Sequence, residues 1–352
     1  MTGSGERAYA FAKACGVIGK SFVGKGISRL SSVTRLTELD RLVFPHKTRD
    51  LPERELLVDL ERRITGRAVK QITSLVRSFS NPPELLLRLV RSYEYGDIKS
   101  ALSAITGAEA KKPEFTGLGD FGTVNFKAFP DLAAMVTDTE FAFLLKEDIH
   151  ADKDGILLQT KLDRRYYTLL WNSLFSLPGK DRTAIEKILA EEISLRNASW
   201  ALRLRTYYGM PPEEIKNILV PIKTGKKHAP QAPSHTPEAP GERTLADDAL
   251  ASLSMALDNP SDWEKWGRTE FLNPERPGEP WKADPRYFQN AAAQYLYHLA
   301  RQFFRRSPFS IDTVSCFIKL KQFEEDLLTS VAEGLGLGLS AKDVFAMLEV
   351  EP

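Results

Sequence analysis

The stretch Glu191–Glu192–Ile193–Ser194–Leu195–Arg196–Asn197–Ala198–Ser199–Trp200–Ala201–Leu202–Arg203–Leu204–Arg205 decides how this chain is read. Its residues are good helix formers, and neither proline nor glycine interrupts it before Gly209. Ile185, Leu189, Ile193, Trp200, Leu204 and Tyr208 recur at helical spacing and form one apolar stripe. Glu192 and Asn197 fall within or beside that stripe, where a polar group must find partners or destabilise the fold. Thr183–Ala184–Ile185–Glu186 reads as a capping box at the start of the helix. Gly209 stops it, and Pro211–Pro212–Glu213–Glu214 opens a short second helix, led by proline and rich in acids.

The same grammar occurs twice more. Asn81–Pro82–Pro83–Glu84 starts a helix carrying Leu86, Leu89, Val90 and Tyr93, with Glu94 and Asp97 on or near its stripe and Gly107 at its end. Ser307–Pro308–Phe309 opens another with Val314, Phe317 and Ile318, and there Lys321 and Glu325 stand four residues apart, able to pair. Gly334, Gly336 and Gly338 read as a helix–helix turn, and Ser340 and Asp343 cap a closing helix. Three diverged copies of one helical unit, roughly ~100 residues apart, imply three domains of ordinary size. The expected blocks are residues 1–115, 116–225 and 226–352. Residues 112–125, rich in proline, glycine and threonine, mark the first junction, and an exposed proline-rich loop over 221–243 leads into the third block.

Composition narrows the function classes. Lys plus Arg is 48 and Asp plus Glu is 47, a net charge of +1. That balance argues against nucleic acid or a polyacidic substrate as the main partner. Hydrophobic content of 42% belongs to a globular chain, and no window reaches the ~18 apolar residues that span a bilayer. The first residues lack a secretory hydrophobic region, and two cysteines, Cys15 and Cys316, are too few for a disulfide framework, so a reducing cytosol is expected. Nothing alternates strictly over enough residues to demand a sheet, so the fold class is all-α.

Several motifs carry potential chemistry. Ala14–Cys15–Gly16–Val17–Ile18–Gly19–Lys20–Ser21 satisfies a relaxed P-loop pattern, but a phosphate cradle needs a strand before it, and the preceding residues are helical in pattern. The five histidines are scattered and no His/Cys pair has metal-ligand spacing, so neither metal nor cofactor is expected. Paired acids such as Glu191–Glu192 and Glu213–Glu214 read as helix-start charges rather than a catalytic dyad. Arginine and aromatic residues interleave in Arg164–Arg165–Tyr166–Tyr167, in Arg203–Leu204–Arg205–Thr206–Tyr207–Tyr208 and in Phe303–Phe304–Arg305–Arg306. Such runs bind single strands in some proteins, which keeps a helical scaffold for nucleic acid or regulatory partners as the alternative. More often arginine stems simply cover apolar surface.

The run from Glu192 through Asn197, followed by Leu202–Arg203–Leu204–Arg205 and Tyr208–Gly209, resembles the C-type central-stalk component of the V-type/A-type rotary ATPase, the d-type component in eukaryotes. Glu192 and Asn197 match that family's acid-x-Asp-x-x-Asn pattern, while Ser194 stands where its aspartate is usual. The opening Tyr9–Ala10–Phe11–Ala12–Lys13–Ala14 helix, Thr65–Gly66, and Pro308–Phe309–Ser310 leading to Lys321 and Glu325 are similar as well. The resemblance implies three similar all-helical domains around a pseudo-threefold axis, arranged as a funnel. It implies a non-catalytic central-stalk protein on the cytoplasmic face of the membrane. Its partners would be the D and F subunits of the central shaft and the proteolipid ring, and it would couple rotation to ATP-driven ion transport or ATP synthesis. Asp97, Glu192, Asn197, Lys321 and Glu325 are then expected to be buried polar groups of structural role.

Overall fold

The computed structural model describes residues 3–107, 112–150, 155–224 and 243–350. Most of the proline-rich stretch expected at 221–243 lies outside them. Within them are twelve α-helices and no strand, only an isolated antiparallel bridge between Lys223 and Thr244. The helices are α1 (Gly3–Ile18), α2 (Leu36–Val43), α3 (Glu53–Val76), α4 (Glu84–Thr106), α5 (Leu132–Val136) and α6 (Ile156–Ser173). After them come α7 (Thr183–Tyr208), α8 (Pro212–Ile218), α9 (Asp247–Ser252), α10 (Pro285–Arg306), α11 (Ile311–Gly336) and α12 (Ala341–Leu348). The fold is all-α, as the absence of strict alternation predicts.

Three buried cores hold these helices, and each draws on segments far apart in sequence. One joins Phe22, Leu36, Leu39, Leu56, Leu60 and Ile64 to Leu327, Leu328, Val331, Leu335 and Phe345. The chain's last helices therefore share an interior with its first. Each such aliphatic side chain stabilises by about 1.5–3 kcal/mol when fully buried. A seam of this size between α3 and α11 outweighs any local helix preference along either one. A second core packs the C-terminal half of α7 with α8, α9, Trp263, Trp266 and Phe288, and the third and largest includes the rest of α3 with α4, α6 and much of α11.

Two helix starts differ from the expected caps. The side chain of Thr183 donates to the carbonyl of Gly179 at 3.0 Å, and Glu186 pairs with Arg182, so no capping box forms. The free N–H groups of Ala184 and Ile185 instead donate to the carboxylate of Asp312, both at 3.2 Å, from the first turn of α11. Once that helix end is buried, a distant carboxylate satisfies donors that water cannot reach. At α11 the helix begins at Ile311, with the Ser310 hydroxyl capping Thr313 at 3.2 Å. The capping box at Ser340 and Asp343 forms as expected, and Gly209, at φ +57°, ends α7 in the left-handed region.

The glycine-rich run is more than a turn. Gly334 and Gly336 belong to the last turns of α11. A Cβ on Gly334 would lie 2.2 Å from a methyl of Val344, and one on Gly336 would lie 2.9 Å from a methyl of Leu57. Glycine lets α12 and α3 close onto this end of α11.

Candidate functional site: a polar cavity between the long helices

Five helices, α3, α4, α6, α7 and α11, together with residues 112–119, line a wide, open-mouthed cavity of about 1780 Å³. A second cavity of about 350 Å³ lies between α7, α10 and α11. Glu192, Arg196, Lys319, Gln322 and Asp326 line both, so a single polar partition separates the two chambers. These side chains are present because α7 and α11 interrupt their apolar stripes where they face one another. Ion pairs and hydrogen bonds there replace a dry seam.

Most of the partition is satisfied from within. Lys319 donates to Glu192 at 2.9 Å on one carboxylate oxygen and lies 2.7 Å from the other. Arg196 donates to the Tyr167 hydroxyl at 2.5 Å and lies over the rings of Tyr167 and Trp200. Gln322 reaches Ser92 on α4 at 3.0 Å, and the Tyr93 hydroxyl donates to Glu325 at 2.6 Å. Burial raises the Glu325 carboxyl, with the hydrogen bonds from Tyr93 and Thr65 working against it. Nearer the mouth, Lys99 pairs with Asp163 at 2.6 Å and Arg62 with Glu114 at 3.2 Å.

Asp326 differs. It has neither a hydrogen bond nor an ion pair among the described residues, although Arg196 and Lys319 are close enough to favour its charge. Its side chain is open to the water of both chambers yet densely surrounded by protein. That burial, with Glu325 adding its negative field, pushes its pKa up to about 7.

The five residues singled out by sequence separate into three groups. Asp97, Glu192 and Glu325 line the large cavity. Asp97 accepts from the backbone N–H of Thr116 at 2.8 Å, and Glu94 accepts from the N–H groups of Thr123, at 2.5 Å, and Val124, at 2.7 Å. Residues 112–125 are thus strapped onto α4 rather than forming a loose junction. Desolvation carries Asp97 up to about 6, with Thr116 opposing and Glu94 adding to the rise. Asn197, fully buried, sits elsewhere, where its amide donates to the carbonyls of Val220 at 3.1 Å and Leu245 at 2.9 Å and accepts from Val220 N–H at 2.9 Å. It staples together the two arms that flank the proline-rich stretch, which also meet through Thr224 N–H to Arg243 and Leu245 N–H to Ile222.

Lys321 forms the third group, and its expected partner is corrected. The ammonium contacts Glu324, three residues on, rather than Glu325. Glu324 also accepts from the N–H of Phe22 at 2.8 Å and lies 3.7 Å from Arg67. On a helix Lys321 and Glu324 face the core shared with Phe22 and α3, while Glu325, a further 100° around, turns toward the cavity. Burial and the field of Arg67 push the Lys321 ammonium down to about 7. Sequence reading passed over Glu324, Asp326, Lys319 and Arg196. The run Glu324–Glu325–Asp326 on an otherwise apolar helix was the available signal, because three successive residues span too wide an arc to share one face.

Other motifs resolve without chemistry. Residues 14–18 are the end of α1, with no strand before them. No group of three or more His, Cys, Asp or Glu side chains is placed to hold a metal among the described residues. Tyr166, Tyr167 and Phe304 are buried, so two of the three arginine–aromatic runs spend aromatic rings on the core, although Tyr207 and Tyr208 are exposed. Ser194, standing in for an aspartate, donates to Asp248 at 3.1 Å. Asp248 and Glu191 both pair with the buried Arg268 at 2.7 Å. Asp248 therefore supplies a carboxylate beside the position where the sequence lacks one.

Comparison with known proteins bears on this architecture directly. The family model for the ATP synthase (C/AC39) subunit matches residues 49–232, which include α3, α4, α6 and α7 and hence most of the cavity wall. The chain belongs to the ATP synthase (C/AC39) subunit family. It is also 26% identical over 333 residues to a protein of Treponema pallidum (strain Nichols) described as uncharacterized, an alignment covering 94% of this chain and 92% of that protein. Like other members of the C/AC39 family, the chain is a peripheral part of a rotary ATPase. No helix among the described residues is long and apolar enough to cross a membrane.

Proposed function

We propose that this C/AC39-family chain is a non-catalytic coupler of the central stalk, whose polar cavity is the socket for the tip of the rotating shaft formed by the D and F subunits. The opposite face rests on the proteolipid ring at the cytoplasmic side of the membrane, and the complex drives ion transport or ATP synthesis. The observation that supports this best is the cavity itself: about 1780 Å³, walled by five helices and lined in large part by side chains paired with one another. A transmitter of torque must resist shear, and cross-helix ion pairs such as Glu192–Lys319 brace the wall without a reactive centre. The three sequence blocks, 1–115, 116–225 and 226–352, are proposed as three helical units set around the socket as a funnel. Co-expression of the tagged chain with D, F and the ring proteolipid tests the reading, with both shaft and ring retained as the expected result. Retention of neither would overturn it.

A further inference from the structure

We infer that the segment entering this cavity is a helix end bearing a lysine or arginine, and that its cation seats on Asp326 at the partition between the two chambers. The inference rests on the socket reading and adds the chemistry of the contact.

Volume and charge both lead here. An α-helix about 10 Å across fills on the order of 400 Å³ per turn, so a cavity of about 1780 Å³ holds about four turns. A small metabolite would leave most of that space to water. Among the carboxylates that line the cavity, Glu192 is held by Lys319, Asp163 by Lys99, Glu114 by Arg62, Glu325 by Tyr93 and Asp97 by Thr116. Asp326 and Glu61 have no such partner among the described residues, and of the two only Asp326 lies where both chambers meet. The groups acting on it are Glu325 and Lys319 of its own helix, Arg196 of α7 and Tyr93 of α4, while Glu192 of α7, Tyr166 and Tyr167 of α6 and Tyr297 of α10 line the same chambers. Lys319 and Arg196 are already committed, to Glu192 and to Tyr167. At the partition an incoming cation therefore meets one unclaimed anion, Asp326, reached through the water of both chambers. A neutral or acidic helix end would bury that carboxylate without compensation.

Because Asp326 has a pKa of about 7, seating a cation on it releases a proton at lower pH. The test measures binding of a purified D–F shaft to the full chain, wild type and Asp326→Asn, from pH 6 to pH 8.5. Wild-type affinity is expected to rise with pH, approaching about tenfold per unit below pH 7 and levelling above it. Asp326→Asn is expected to bind at least about tenfold more weakly at pH 8 and to lose the pH dependence. Its thermal midpoint should not fall, and Glu213→Gln, on the exposed start of α8 and outside both chambers, should leave binding within about twofold. Shaft binding with the same affinity and pH slope in Asp326→Asn overturns the seat on Asp326 and leaves the socket standing. Failure of the wild-type chain to bind the shaft at any pH removes the socket, and this contact with it.

Discussion

Helices α7 and α11 are both 26 residues long and both interrupt an apolar stripe with polar groups, yet they use those groups differently. On α7, Asn197 is fully buried, and three hydrogen bonds to backbone join helix and flanking chain. On α11, four charged residues between 321 and 326 divide by direction. Lys321 and Glu324 lock together against Phe22 and α3, whereas Glu325 and Asp326 look into the cavity. A polar residue whose partners are all internal is architecture. One left without a partner in a walled space is an address for something from outside.

The comparison is broken most forcefully at the Lys321–Glu324 pair. Glu324→Leu leaves the Lys321 ammonium and Arg67 without their common carboxylate and frees the N–H of Phe22, so a loss of about 3–5 kcal/mol is expected in urea unfolding. A loss under about 1 kcal/mol would show that the pair is not part of the packed interior. Next comes Asn197→Leu, which orphans one N–H and two carbonyls and should cost about 2–4 kcal/mol, while leaving the walls of the cavity in place. Shaft binding measured on folded protein should then be unchanged, in contrast to Asp326→Asn.

The smallest effect belongs to Asp97, a cavity carboxylate that is nonetheless satisfied. Its folded pKa, about 6, lies above the usual carboxylate value, so the folded state holds the proton more tightly than the unfolded one. The stability this group contributes is therefore present at low pH and lost as pH rises from about 4 to about 6. Asp97→Asn keeps an acceptor for the N–H of Thr116. It should gain on the order of 1–2 kcal/mol at pH 8 and nothing near pH 4. A gain independent of pH would mean that the carboxyl is not strained by burial.

Much of the helical outline was readable in advance. Proline-led starts at Pro83 and Pro212, the glycine stops at Gly107 and Gly209, and the capping box at Ser340 and Asp343 are local devices, and each appears where its residues place it. The Thr183 box does not form because Arg182, not Thr183, is the N-cap: its carbonyl takes the Glu186 N–H, and Asp312, from a helix more than a hundred residues away, takes those of Ala184 and Ile185. The partner of Lys321 was misjudged for a related reason. Residues three and four positions on are equally reachable along a helix, and only the packing of Phe22 and α3 selects Glu324. The cavity had no signature in the sequence beyond the acids on α11, because its wall is assembled from five separate helices.

Periodicity and caps, which act over a few residues, were enough to determine an all-α chain, most of its helix boundaries and some of the polar residues set into apolar faces. Tertiary structure alone decided which of those residues face core and which face the cavity. Neighbouring residues on a helix point about 100° apart, and which direction is inside depends on helices brought alongside from distant parts of the chain.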